Sequence, residues 1–381
     1  MRLALAAVAI LVALNPVTGA QRSYGPGVCG PLDLTHVRNA TATGGQPFPM
    51  SPSEIAKMGI IIAESSRSDA AMILWASGTS GDAEGGFTVP IDSSIQRATF
   101  SVTFDGQGGS VEIAAPDGSV IPPKGKSEDL LLNCGRILSV DTPATGEWRV
   151  TPRPTGRFWV VVQGRSDRDL ISADFVKAAG RPGHDGLFQI NGMPIAGRPA
   201  ILRVRLSEPA IRIPDFVLLS SQGRPIQRVQ LDRVEASEYV GEIDLPTLLF
   251  RVAITGTDER GVSYQRLDAK LMRGESVEVL PSSVDTIKAG EDTALVFIVK
   301  NHGARARYRI TATAGGKVLK RVEPDLVEID RNGEQRVNVW LPAAKIAAVG
   351  HSIELFVVAA GEGPAESSVN SAFQRVNVVK D

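Results

Sequence analysis

The sequence predicts a mainly β protein, a string of small β-sandwich modules behind a short segment with one helix. Three observations carry this. Short runs alternate apolar and polar residues with a period of two, and they recur about every ten residues with turn chemistry between them. The chain also resets twice, near residues 180 and 274. Strands at this spacing are the pattern of sandwiches, whose usual size of about 100 residues fits each stretch between resets.

The first twenty residues read as a leader. Met1-Arg2 opens with positive charge, 3–14 is an uninterrupted apolar run, and Thr18-Gly19-Ala20 places small residues where a signal peptidase needs them. This is the three-part form of a secretory signal, with cleavage expected after Ala20. The competing reading, a membrane anchor, fails on length, since such a run is too short for about 30 Å of hydrocarbon. No later stretch is long and apolar enough to span, so no transmembrane segment is expected after cleavage. The expected location is secreted, periplasmic or otherwise in the cell envelope.

Composition narrows the class. The 381 residues carry a net charge of −1 with 22% charged side chains, so no global field favours nucleic acid or an anionic membrane. Apolar content of 43% is enough to fill cores and argues against disorder. The Ala-, Arg- and Gly-rich character suggests a bacterial source. The two cysteines, Cys29 and Cys134, are an even count in an exported chain and read as one disulfide. Two unpaired thiols remain the alternative, because sequence carries no distance between them. A nucleophilic cysteine would need a histidine partner, and His36, His184, His302 and His351 sit in no motif.

Residues 21–70 hold the one convincing helix. Ser51-Pro52-Ser53-Glu54 has the form of a helix start, with Ser51 as cap, Pro52 at the first position and Glu54 three residues after the cap. Ile55, Met58, Ile61 and Ile62 then recur at helical spacing and call for a partner surface. Past Ala70 the period drops to two. Runs at 87–90, 98–104, 111–113, 137–140, 147–151 and 158–163 make a first sandwich, 71–179, with Asp105-Gly106 and Pro116-Asp117-Gly118 as turns. Gly180-Arg181-Pro182-Gly183 is a linker into a second, 180–274, with strands at 187–190, 200–206, 215–219, 239–244, 250–255 and 262–266. A third, 275–381, has strands at 277–280, 293–301, 308–314, 317–322, 336–341, 352–359 and 373–379.

The first sandwich also resembles a known family. Phe87-Thr88-Val89-Pro90-Ile91-Asp92-Ser93-Ser94, Thr99-Phe100-Ser101-Val102, Gly146-Glu147-Trp148-Arg149-Val150 and Phe158-Trp159-Val160-Val161-Val162-Gln163-Gly164-Arg165-Ser166-Asp167 follow one another as in the segment after the von Willebrand factor A domain of hemicentin-type extracellular proteins. The stretch 40–48 and the helix from Pro52 resemble the closing strand and last helix of the A domain itself, so 21–70 reads as its C-terminal remnant. The resemblance implies tandem immunoglobulin-like or galactose-binding-like sandwiches, the second Ig-like and the third generically Ig- or fibronectin-like, behind a short α/β remnant. Trp148, Phe158 and Trp159 would be core aromatics. The A domain's metal triplet, Asp-x-Ser-x-Ser, is not carried over: Asp92-Ser93-Ser94-Ile95-Gln96 and Asp117-Gly118-Ser119-Val120-Ile121 both fail at the last position, so no metal is expected.

Other candidate sites read as ordinary structure. Asp330-Arg331-Asn332-Gly333-Glu334 is too short for a calcium loop and fits a hairpin turn. Asn39-Ala40-Thr41 is a formal glycosylation sequon. Arg136, Arg149, Arg153, Arg157, Arg165 and Arg168 form either a patch for an acidic glycan or, better, a solvated sheet face. Gly44-Gly45 lacks the sequel of a phosphate loop, and Tyr24-Gly25-Pro26-Gly27 is a flexible approach to Cys29. No catalytic constellation stands out, so neither an enzyme nor a cofactor is expected. The functional expectation is an exported interaction, adhesion or spacer protein whose partner is an extracellular protein or glycan. A carbohydrate-binding accessory protein and a truncated relic of a longer A-domain protein are the alternatives. Glycan binding calls for exposed Trp or Tyr, whereas Trp75, Trp148, Trp159 and Trp340 lie in apolar strand contexts.

Overall fold

The computed structural model describes residues 29, 32–42, 44–65, 70–125, 128–179, 186–190, 192–207, 214–342, 350–363 and 368–380. The leader, the Tyr24-Gly25-Pro26-Gly27 stretch and the 180–183 linker lie outside them. The chain forms two compact units, and three strands begin in one and end in the other.

The first unit is built on β1 (Ala70–Gly78), β2 (Phe87–Ile91), β3 (Arg97–Phe104), β4 (Ser110–Ala114), β5 (Asp129–Leu132), β6 (Gly135–Asp141), β7 (Gly146–Arg153) and β8 (Phe158–Arg165). A five-stranded sheet in the order β1-β8-β3-β6-β5 faces a three-stranded one, β2-β7-β4. Between them lie Val89, Ile91, Phe100, Val102, Trp148, Phe158, Val160 and Val162, with Phe100 and Trp148 rings 5.1 Å apart. The alternation read from the sequence is what puts these side chains on one face. Trp148 and Phe158 lie in this core; Trp159, one residue on, points to the opposite face and is buried there.

That opposite face is covered because the same unit brings up a third sheet. After β9 (Leu170–Ala179), β10 (Gly186–Gln189) and β11 (Pro199–Leu206) come β12 (Asp215–Ser220), β13 (Pro225–Val229), β14 (Asp232–Arg233), β15 (Glu238–Asp244), β16 (Phe250–Thr257) and β17 (Ser263–Leu267). The order β13-β12-β16-β17 makes a four-stranded sheet. Its Val217, Leu219, Ala253 and Leu267 pack with Met72, Trp75, Trp159 and Val161 of the five-stranded sheet. β1 is therefore buried on both faces, which is why it is a continuous apolar run with no period of two.

The N-terminal arm covers the rest of that face, and here the structure corrects three expectations. First, Leu34–Ala42 is an α-helix (α1), and the chain from 45 to 50 runs without strand pairing, so the expected closing strand is absent. Second, the expected helix begins as a 3-10 turn, Pro52–Lys57, and becomes α only over Met58–Ser65 (α2). Third, of its apolar stripe only Ile61 is buried, against Phe48, Leu130, Leu132 and Ile137. Ile55 and Ile62 remain 46% and 43% exposed. A buried carboxylate docks the segment instead: Glu54 accepts from Ser51 N–H and Oγ at 3.0 Å and, through its other oxygen, from the Asn133 N–H at 2.7 Å. Next to Asn133, Cys134 is bonded to Cys29. Gln46 completes the seam, donating to Ser101 O, Thr103 Oγ1 and Trp159 O.

The second unit contains a sandwich of β18 (Val277–Leu280), β19 (Thr286–Lys288), β20 (Thr293–Asn301), β21 (Ala306–Ala314), β22 (Lys317–Val318), β23 (Val322–Glu323), β24 (Leu326–Ile329), β25 (Glu334–Leu341), β26 (Ser352–Glu362) and β27 (Val369–Val379). The sheet β18-β20-β25-β23 faces β19-β27-β26-β21-β22, with Leu295, Phe297, Tyr308, Val337, Leu355 and Val357 among the side chains between them. The strand expected at 317–322 is a crossing instead. Lys317–Val318 pairs with β21 in one sheet and Val322–Glu323 with β25 in the other, while Leu319 between them is buried as a plug. The fold is thus mainly β, with multiple sheets and little helix, the α-helices confined to the N-terminal arm among the described residues.

Candidate functional site

Asp92-Ser93-Ser94, the stretch that comes closest to a metal triplet, is the centre of a buried ionic knot in the first unit. It occupies the turn after β2. The Asp92 Oδ1 accepts from the N–H and hydroxyl of Ser94, at 3.0 and 2.6 Å. Its Oδ2 faces Nη2 of Arg266 at 2.7 Å, with the two side chains 0% and 1% exposed. No aligned hydrogen bond reaches Oδ2, so the contact is charge pairing more than a directed bond. Arg266 spends its other donors on Arg168 O, Gln265 O, Ser94 Oγ and Ser166 Oγ. Ser93 donates its N–H and hydroxyl to Asp258. The guanidinium of β17 therefore stands where a cation would be sought, and the knot ties the turn of the first sandwich to the β16–β17 hairpin.

A second arginine of that sheet is packed differently. Arg251 lies 3.8 Å over the Trp75 ring and donates to Ala269 O and Thr41 O, reaching from β16 to the end of α1. Burial pulls its pKa down to about 9, with the charge of Asp268 acting in the opposite sense. Beside this pair the Gly44 backbone, at φ 77°, presses on Ala269, where a Cβ would meet Ala269 at 2.5 Å. Gly44 is a close-approach glycine, in keeping with its lack of any phosphate-loop sequel.

Near the knot, Asp169 supplies a pH handle. Burial pushes its carboxyl up to about 6, against the Leu170 N–H and the Arg266 charge, and Asp268 adds to the rise. The folded state then holds the proton more tightly than the unfolded chain, so stability should fall as pH rises from about 4 to about 6. Asp169→Asn is expected to raise stability at pH 7 by on the order of 1 kcal/mol and to leave it unchanged below pH 4, where both states are protonated. Thermal melts of both proteins across pH 4–8 check this; equal melting curves at pH 7 would contradict it.

The six arginines of the first sandwich do not converge. Arg136 is buried and bound to Asp129 and Ile121 O, Arg157 is paired with Asp105, Arg149 donates to Gly85 O, and Arg168 lies 3.7 Å from Glu259. Asn39-Ala40-Thr41 lies within α1, and Asp330-Arg331-Asn332-Gly333 is a turn with Asn332 at φ 58°. Trp75, Trp148 and Trp159 are at most 3% exposed, as are the rings of Tyr239, Tyr264 and Tyr308 to within 5%. Trp340 is half-buried under Arg321, its N–H given to Glu323.

One stretch of exposed apolar surface lies on the outer face of the larger sheet of the second unit. Alternation along β26 sends Ile353, Leu355, Val357 and Ala359 inward, and so Glu354, Phe356 and Val358 outward. Antiparallel pairing sets Phe356 opposite Phe373 and Thr313, and Thr313 opposite Val318. The result is one row, Val318, Thr313, Phe356 and Phe373, across four strands. The two rings are 4.9 Å apart, and Phe356 and Val318 are 45% and 67% exposed. The ends of the face are closed by ion pairs, Arg375 with Glu354 and Arg309 with Glu362, each at 2.8 Å. Sequence reasoning passed over this row because Leu355-Phe356-Val357-Val358 is apolar at every position, and nothing in such a run marks which phenylalanine is left in water.

The structure is that of a β-sandwich protein with one disulfide, Cys29–Cys134, and no helix among the described residues is long and apolar enough to cross a membrane. Residues 72–167, about a quarter of the chain, match the family described as hemicentin galactose-binding domain-like. Hemicentin-1 of Mus musculus is 26% identical over 197 residues, covering 48% of this chain but only 3% of that protein. Among solved structures, a DUF4785 family protein from Legionella pneumophila subsp. pneumophila str. Philadelphia 1 is 11% identical over 82% of this chain and 91% of its own, with a TM-score of 0.41. Titin domains I67–I69 are 13% identical over 82% and 97%, with a TM-score of 0.18.

Proposed function

We propose that the protein is a non-enzymatic, exported interaction module, secreted or held in the cell envelope, which docks a protein partner on the outer face of its C-terminal sandwich. The single observation that carries this is the row of exposed Val318 and Phe356 with half-buried Phe373 beside them on an otherwise regular sheet. Covering the water-facing half of the Phe356 ring is worth about 1 kcal/mol to a partner's surface. The chemistry of the face selects the partner. Its terminal ion pairs are closed on themselves, so it offers no net field to a polyanion, and it has no Trp or Tyr on which a sugar ring would stack. A flat apolar protein surface fits it. The match of residues 72–167 to the hemicentin galactose-binding domain-like family supports the exported setting, as does the leader-like pattern read in residues 1–20.

A photo-crosslinking residue placed at position 356 of the full chain tests this in native envelope or culture fluid. It should give one discrete protein adduct, lost when Phe373→Asp is added and not formed from position 88 on the opposite unit. No adduct, or equal adducts from both positions, contradicts the reading.

A further inference from the structure

Where Glu362 closes one end of that sheet, the second unit contains a cleft of about 470 Å³, within the ~300–1,000 Å³ of small-molecule sites. It lies in the part of the chain outside residues 72–167. Its charged lining is Arg273, Arg305 and Arg307 with Glu275, Glu328 and Glu362, three of each sign. The rest of the lining is Gly, Ala and Ser, with the buried Tyr308. Most of these charges are already held in place. Glu275 takes Arg273 Nη2 at 3.2 Å on one oxygen, and the Ser368 hydroxyl and Val369 N–H on the other. Ser368 and Ser276 share a hydrogen bond of 2.8 Å, Arg305 donates to Glu328 at 2.9 Å, and the Tyr308 hydroxyl donates to Asn301. Arg307 makes no ion pair among the described residues, although it stands opposite Glu362 in register.

The lining selects a ligand by elimination. An apolar molecule would strip water from six charges and meet no large apolar side chain in return. An anion would meet as many carboxylates as guanidiniums, and so would a cation. What suits a neutral wall of alternating planar donors and acceptors is a molecule that is itself uncharged and dense in hydroxyls, each able to give and take a hydrogen bond. We propose that this cleft binds a neutral hexose unit, with Arg307 as donor and with Glu362 and Ser276 accepting from the sugar beside the Arg309 and Ser368 contacts they already make. Recognition here is by hydrogen bonding in a small cavity, separate from the apolar docking row.

Saturation-transfer NMR titration of the full chain with galactose, glucose and mannose, beside glucuronate and sulfate, is the test. At least one hexose should saturate and bind better than either anion. Arg307→Ala, an exposed side chain whose loss spares the core, should weaken that hexose about tenfold or more, the usual worth of a hydrogen bond to a charged group. Ala304→Trp, also exposed, should plug the cleft and abolish binding with an unchanged melting temperature. The proposal is overturned if none of the three hexoses saturates, if glucuronate or sulfate binds best, or if Ala304→Trp binds like the parent. Phe356→Asp should leave the titration unchanged, so failure of the docking face and failure of the cleft are read separately.

Discussion

Cys134→Ser is expected to lower the unfolding free energy of the oxidised protein by about 4–5 kcal/mol, the chain-entropy value for a bridge closing roughly a hundred residues. The bond joins residues 105 apart. It also fixes the start of the N-terminal arm beside Asn133, the residue that donates to Glu54. Without it, the arm is held by side-chain hydrogen bonds such as those of Gln46, Glu54 and Arg251 and by the Phe48–Ile61 contacts, and its detachment would uncover the face around Trp159. Cys29→Ser should cost the same, and the double replacement no more than either single one, because one covalent link is being removed in each case. Urea unfolding of the three variants measures this. Two single replacements that each cost under about 1 kcal/mol would show that the closed loop does not restrict the unfolded chain as the model requires.

The second large effect concerns the ionic knot. Arg266→Met leaves Asp92 as a buried carboxylate with only Ser94 to bind it, and breaking a buried pair on one side typically costs about 3–5 kcal/mol. The loss is one of desolvation, since Asp92 has no route to water at 0% side-chain exposure. Replacing both partners, Asp92→Leu with Arg266→Met, should therefore recover a large part of the loss, as apolar substitutes for whole buried pairs commonly do. A double-mutant cycle on urea midpoints separates the coupling from the packing change. Strictly additive losses would mean that the two residues act independently, against the 2.7 Å contact.

How much of this was legible depended on whether a residue's partners were close in sequence. Strands β3 and β7 show through because each has a core face and a distinct second face, and alternation records that difference. β1 does not, since it is covered on both sides by sheets drawn from distant parts of the chain, and double burial erases the period of two. The helix from Pro52 was signalled by its cap, yet its apolar stripe misled. Glu54, polar and near the cap, faces inward to Asn133, while Ile55 and Ile62 face water. Hydrophobic spacing finds a helix but assumes that the apolar side is the docked one. Likewise Lys317–Val322 has strand composition, but a strand's membership of one sheet or two is set by its neighbours, and Leu319 marks the crossing only once both sheets are in place.

The row on the larger C-terminal sheet shows the same limit for function. The sequence determined by itself that 352–359 and 373–379 are strands, that Cys29 and Cys134 are the only cysteines available to one another, and that Trp148 sits in an alternating run. These are local or arithmetic properties, fixed by period, count and turn chemistry. Tertiary structure alone decided that Cys29 lies against Cys134, that Arg266 fills the charge site at Asp92, and that Phe356 meets Phe373 on the solvent face. Each of those outcomes joins residues far apart in the chain. Sequence encodes such a pairing only through the energy of the finished packing, which no single segment contains.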